Sequence, residues 1–258
     1  MVSIRIVTLT LSSAFVLAAQ TSNFRDPSTP NPLPPAQPPV KQLVSPEVRG
    51  DIFMAKKMYR EAIEVYRDNA NGSPVMLNKT GIAYHQLLDL QDAKKYYQLA
   101  LKANPSYAEA VNNLGTVEYS RKNYRRSIAL YRRALKYTPN SASIYSNLGT
   151  AFFARKDYKN ATVAFQRALE LDPEVFEHRG TGGVLLQERS VEERAKFHFY
   201  LAKMYAKQGD TARTLQNMRK AIEEGFKDRK KFQSEPEFAA LQDNPEFKEL
   251  LVLQPRVL

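Results

Sequence analysis

The residues that could do chemistry in this chain are few, and their spacing argues against a catalytic set. The three histidines, His85, His178 and His198, lack metal-ligand spacing, and no His-Glu-x-x-His run brings two of them onto one helical face. There is no Gly-x-Ser-x-Gly elbow to expose a serine nucleophile. With no cysteine anywhere, thiolate catalysis, disulfides and acylation on cysteine are all excluded. The Gly180-Thr181-Gly182-Gly183 segment lacks the lysine and hydroxyl residue that let a glycine-rich loop hold phosphate, although a cryptic hydrolytic site would have to use it. Paired carboxylates such as Glu192-Glu193 and Glu223-Glu224 are adjacent on helices and diverge by about 100°, so they cannot flank one bond. The expectation is a non-enzyme with no cofactor and no metal site.

What remains must act through surface, and the elements that position that surface recur. Gly81, Gly115 and Gly149 are spaced by 34 residues, as are Tyr97, Tyr131 and Phe165, then Ala100, Ala134 and Ala168, then Pro105, Pro139 and Pro173. Leu101, Leu135 and Leu169 keep the same step, and so do Ala93, Ser127 and Ala161. Small, aromatic, small and proline marks at fixed offsets in a 34-residue period resemble the tetratricopeptide repeat. The resemblance implies an all-α, right-handed superhelical solenoid of about five helix pairs that binds partners. Repeats are expected at about 46–73, 74–107, 108–141, 142–175 and 191–226, followed by a helical cap over 227–258. In the third of these pairs Val111, Leu114, Val117 and Tyr124 are core positions, Gly115 leaves room for the neighbouring helix, and Pro139 opens the next one. The first pair is about three residues short and degenerate, as a terminal repeat with one solvent face tends to be. Ser190-Val191-Glu192-Glu193 has the capping-box pattern that starts the fifth pair. Its core is expected at Leu201, Ala202, Tyr205, Met218 and Ala221, with Gly209-Asp210 as the turn. Ser234-Glu235-Pro236 and Asn244-Pro245 are expected to start two short helices around Phe238, Leu241, Phe247 and Leu250.

The first 45 residues read differently. Arg5, the apolar run Ile6 to Ala19 and small residues at its end have the layout of a secretory signal peptide (residues 1–19), too short to span a membrane. An uncleaved anchor is the alternative. Residues 27–46 hold eight of the fifteen prolines, and residues 20–45 read as an extended linker. The expectation is an exported bacterial protein, periplasmic, envelope-associated or secreted, with no transmembrane helix after signal cleavage.

In the family that these repeats resemble, the first helix of each pair lines the concave face. Residues one turn apart on those helices are Asn78, Ile82 and His85, then Asn112, Thr116 and Tyr119, then Ser146, Thr150 and Phe153. The groove they outline is uncharged, with amides and hydroxyls on one edge and rings on the other, and suits an extended peptide or partner protein. The family's variant that grips acidic chaperone tails carries lysines and arginines in these slots, so that partner is disfavoured.

A second candidate surface is basic. The formal net charge is +11, and loss of residues 1–19 leaves +10. Nine basic residues and no acidic one lie between Tyr119 and Lys156. Arg125, Arg132 and Lys136 share one helical face, flanked by Arg126 and Arg133. Such density attracts polyanions. With an export signal, an anionic envelope polymer or a membrane surface fits better than nucleic acid, which is not expected.

Overall fold

The computed structural model describes residues 44–177 and 190–253, and the expected signal, linker and Gly180–Gly183 readings lie outside them. The described residues are all-α and form the expected solenoid of consecutive helix pairs. The pairs are α1 (Pro46–Ala55) with α2 (Tyr59–Asp68), α3 (Pro74–Gln86) with α4 (Leu90–Ala103), and α5 (Ala108–Ser120) with α6 (Tyr124–Tyr137). Then follow α7 (Ala142–Ala154) with α8 (Tyr158–Leu171), and α9 (Val191–Lys207) with α10 (Thr211–Glu223). Each helix packs on its chain neighbour, and α3, α5 and α7 also touch one another in sequence.

Within a pair, the crossing is set by a glycine beneath a ring. A Cβ built on Gly81 would lie 2.6 Å from Tyr97, and one on Gly115 would lie 2.7 Å from Tyr131. The same clash arises at Gly50 under Tyr66 and at Gly149 under Phe165. Those four rings are buried, so none can swing aside. Close packing of this kind explains why the period shows at these offsets first. In the fifth pair the corresponding residues are Ala202 and Met218, also 16 apart and both buried in one cluster. A larger small residue is matched there by a narrower, flexible partner.

The turn inside each pair places one residue in the left-handed region: Lys57, Leu88, Lys122, Lys156 and, in the fifth, Gly209 at φ +79°. Only the last uses the residue type that adopts this conformation without cost. Caps follow the chemistry of the sequence. Ser73, Asp89, Ser141, Asp157, Ser190 and Asp210 accept from backbone N–H groups of the helices they start. Pro139 does not open a helix. It lies in the turn after α6, and Ser141 caps α7 instead. A proline there ends one helix rather than beginning the next.

The C-terminal cap has one more element than expected. The short helix α11 (Lys230–Ser234) precedes a 3-10 helix, Pro236–Leu241, and then α12 (Pro245–Val252). Phe232 on α11 is buried with Phe199, Phe226 and Phe238, and this aromatic nucleus draws a helix from a stretch with no cap of its own. The cap is held to α9 by Lys203, whose Nζ lies 2.6 Å from Glu235 and 3.3 Å from Glu237.

Candidate functional site

The inner row is carried by α3, α5 and α7, whose polar residues fall at one helical turn and repeat from pair to pair. The structure uses part of that row to join the pairs. Asn113 Nδ2 donates to Asn78 Oδ1 at 3.0 Å, and Asn147 Nδ2 donates to Asn112 Oδ1 at 3.1 Å. Both rungs span 35 residues, so each is the same contact made at successive junctions. At the first junction the equivalent contact is ionic, with Lys79 Nζ 2.8 Å from Glu47 and 2.7 Å from Asp51. Asp51 also accepts from Tyr66 Oη at 2.5 Å. Burial raises the Asp51 carboxyl, but hydrogen bonds from Lys79 and Tyr66 outweigh it and hold the group below its ordinary value.

The expected groove residues therefore divide. Asn78, Ser146 and Thr150 are 4% exposed, and Tyr119 and Phe153 are buried with them. Phe153 packs edge-on against Tyr158, Phe197 and Tyr200, and Tyr119 lies 5.3 Å from Tyr124. His85, Asn112 and Thr116, with Ile82 beside them, are half-buried. Thr116 Oγ1 donates to the Asn112 carbonyl and accepts from Tyr131 Oη at 3.2 Å. Burial pushes His85 below its ordinary value, which keeps the imidazole neutral. None of these half-buried side chains carries a formal charge at neutral pH.

Glu118 is a feature that sequence reading missed. Counting three residues on from each glycine of the period gives Phe53, Tyr84, Glu118, Phe152 and, in the fifth pair, Tyr205. Four are rings and one is a carboxylate, and that break in the column was the available signal. Glu118 is 1% exposed. Lys94 lies 2.8 Å from Oε1, Arg126 3.6 Å from it, and Asn123 donates to Oε2 at 3.0 Å. Burial would raise this carboxyl, yet the hydrogen bonds from Lys94 and Asn123 and the Arg126 charge together hold it below its ordinary value.

The basic residues are spread over several tasks. Arg133 donates to the Pro105 carbonyl at 2.8 Å, and Arg132 sits 5.3 Å above the Phe152 ring. Arg126 turns partly toward Glu118, while Arg125 and Lys136 are exposed. Among the described histidines, His198 Nδ1 lies 3.1 Å from Asn217 Oδ1 and 3.9 Å separates its Nε2 from Glu224, a packing cluster; His178 lies outside the described residues. No group of three or more potential metal ligands occurs among the described residues, and no described helix is long and apolar enough to cross a membrane.

Tetratricopeptide repeat models match residues 78–134, 115–154 and 142–175. No curated protein matches the chain in sequence. Among solved structures, MamA from Desulfovibrio magneticus RS-1 (from residue 41 to its end) is similar at 22% identity, with a TM-score of 0.48 over 69% of this chain and 92% of that one. YrrB, described as a TPR protein with an unusual peptide-binding site, is similar at 16% identity, with a TM-score of 0.45 over 71% of this chain and 86% of that one. The repeat models, the 34-residue period, the glycine-under-ring crossings and the helix-pair architecture together identify residues 78–175 as tetratricopeptide repeats.

Proposed function

We propose that the protein is a non-enzymatic interaction scaffold that receives an extended segment of a partner protein along its inner row. The observation that carries the reading is the accessible run His85, Asn112 and Thr116, neutral and polar, lying beside the amide rungs that hold the pairs in register. Amides and hydroxyls on adjacent turns can pair with the backbone of an extended chain, and an uncharged lining spares the ligand the cost of burying an unmatched charge. Tyr119 and Phe153 act by fixing the floor of the row, because they are packed into the solenoid. The tetratricopeptide repeats over residues 78–175, a module that commonly serves in interaction scaffolds, support the reading, as does the thin catalytic inventory.

The export reading of residues 1–19 belongs to the same proposal, and places the partner in a periplasmic, envelope or extracellular setting. Amino-terminal sequencing of the protein recovered from its native source tests it, with a start near residue 20 as the expected result. The groove is tested by selecting binders from a random peptide library on the full mature chain. Asn112→Ala with Thr116→Arg is expected to weaken the selected peptides by roughly tenfold or more, with little response to salt. Peptides that are indifferent to those changes but lost on Arg125→Glu would move the working surface to the basic side.

A further inference from the structure

Where the turns inside the third and fourth pairs come together, an open cavity of about 550 Å³ is lined by Lys122, Asn123, Tyr124, Arg125, Arg126 and Arg155. Four of the six are cations and none is acidic. These residues come from two stretches that are adjacent only because successive pairs stack in register. The expected basic face named Arg125 and Arg126 with Arg132, Arg133 and Lys136. The structure instead gives Arg132 and Arg133 other work and brings in Lys122 and Arg155 from the turns.

Three features of the surroundings leave most of this charge without a close counter-ion. Lys122, Arg125 and Arg155 make no ion pair among the described residues, and Arg126 gives only a 3.6 Å contact to a carboxylate already matched by Lys94. Asp157, whose charge acts on Arg155 and Arg132 without a close ion pair, is engaged at short range by the Asn160 side chain at 2.8 Å and by its backbone N–H. Asn123, whose counterparts Asp89 and Asp157 cap their helices, directs its amide to Glu118 instead, so α6 starts without a side-chain cap and with no acidic residue in its first turn.

We infer that this cavity is a binding site for an oligophosphate, held by Arg125, Arg126, Arg155 and Lys122. Guanidinium forks match phosphate oxygens in pairs, and three of the four cations are arginine. The volume falls within the range of small-ligand sites and exceeds what one phosphate fills, while the lining charge calls for several negative charges on one ligand. The inference is independent of the groove, which lies on other helix faces.

Calorimetric titration of the full mature chain with inorganic tripolyphosphate, against monophosphate, tests it. Tripolyphosphate is expected to bind with one-site stoichiometry at about 0.15 M salt, and monophosphate far more weakly. Arg125→Glu with Arg155→Glu should weaken tripolyphosphate at least about tenfold. Lys136→Glu with Lys159→Glu, the same change in charge placed outside the cavity, should leave it nearly intact. Circular dichroism confirms that both variants are folded, and Arg125→Gln alone serves if the double variant is not. Equal loss in the two double variants would show a diffuse field rather than a site and overturn the inference. So would failure of the unaltered chain to bind, or binding confined to phosphatidylglycerol vesicles.

Discussion

The second to fourth helix pairs and the fifth solve the same packing problem with different residues. In the former a glycine lies under a buried ring inside each pair, and an asparagine rung joins neighbours at the two junctions between them. In the fifth pair Ala202 and Met218 replace glycine and ring, and the junction from α7 and α8 to α9 is aromatic, with Phe197 against Phe153, Phe165 and Phe176, and Tyr200 stacked on Tyr158. The repeat matches end at residue 175, while the helix-pair architecture continues. Volume is conserved across the pairs and identity is not, as packed interiors permit when a larger residue on one side meets a smaller one on the other.

The sharpest break of that comparison is a bulky residue at the crossing. Gly115→Leu is expected to cost roughly 3 kcal/mol, since the fully buried Tyr131 cannot yield, and the loss would appear as a lower denaturant midpoint. Gly115→Ala with Tyr131→Met imports the combination of the fifth pair. It should be more stable than Gly115→Ala alone; if it is not, the two crossings are not equivalent solutions.

Glu118 sharpens the comparison from within the central pairs, as the one carboxylate in a column of rings. Glu118→Ala should cost roughly 2 kcal/mol, because the half-buried Lys94 loses the buried carboxylate it pairs with. Glu118→Tyr, restoring the ring, should cost less. The folded carboxyl lies below its ordinary value of 4.5, so its contribution is complete above that pH and is lost as pH falls through the folded value. The advantage of the unaltered chain over Glu118→Tyr, if any, should therefore shrink only on the acid limb of a stability profile.

The smallest expected effect concerns the junctions. Asn113→Ala should cost about 1 kcal/mol by leaving the buried Asn78 amide short of a partner. Added salt should weaken the Lys79 contact at the first junction but not the amide rungs. Hydrogen exchange would then quicken in α1 and α2 while α5 and α7 keep their protection. Uniform quickening along the chain would mean that the junctions do not differ in kind.

Much of the architecture was legible before the structure. Glycine and ring are 16 residues apart in every central pair, so their contact is set by one turn between two helices and shows as a fixed offset. The extra helix α11 was not legible, because it rests on Phe232 meeting Phe199 and Phe226, residues 33 and 6 positions away, and on no local cap. The inner row was legible as a row of residue types. Its split into joining and accessible members was not: Asn78 and Asn112 carry the same side chain at the same offset, yet one is buried and the other half-open.

By itself the sequence determined the period, the helix pairs and the crossings inside them, because those contacts are local and helical register dictates which side chains meet. The tertiary structure decided which side chains stay accessible. Contacts between pairs depend on how each pair is rotated against the next, and that rotation arises from the summed volumes across the junction rather than from any one position. It turned Tyr119 and Phe153 into floor, made rungs of Asn113 and Asn147, and gathered Lys122 and Arg155 beside Arg125 and Arg126 around a cavity that no contiguous stretch of the chain contains.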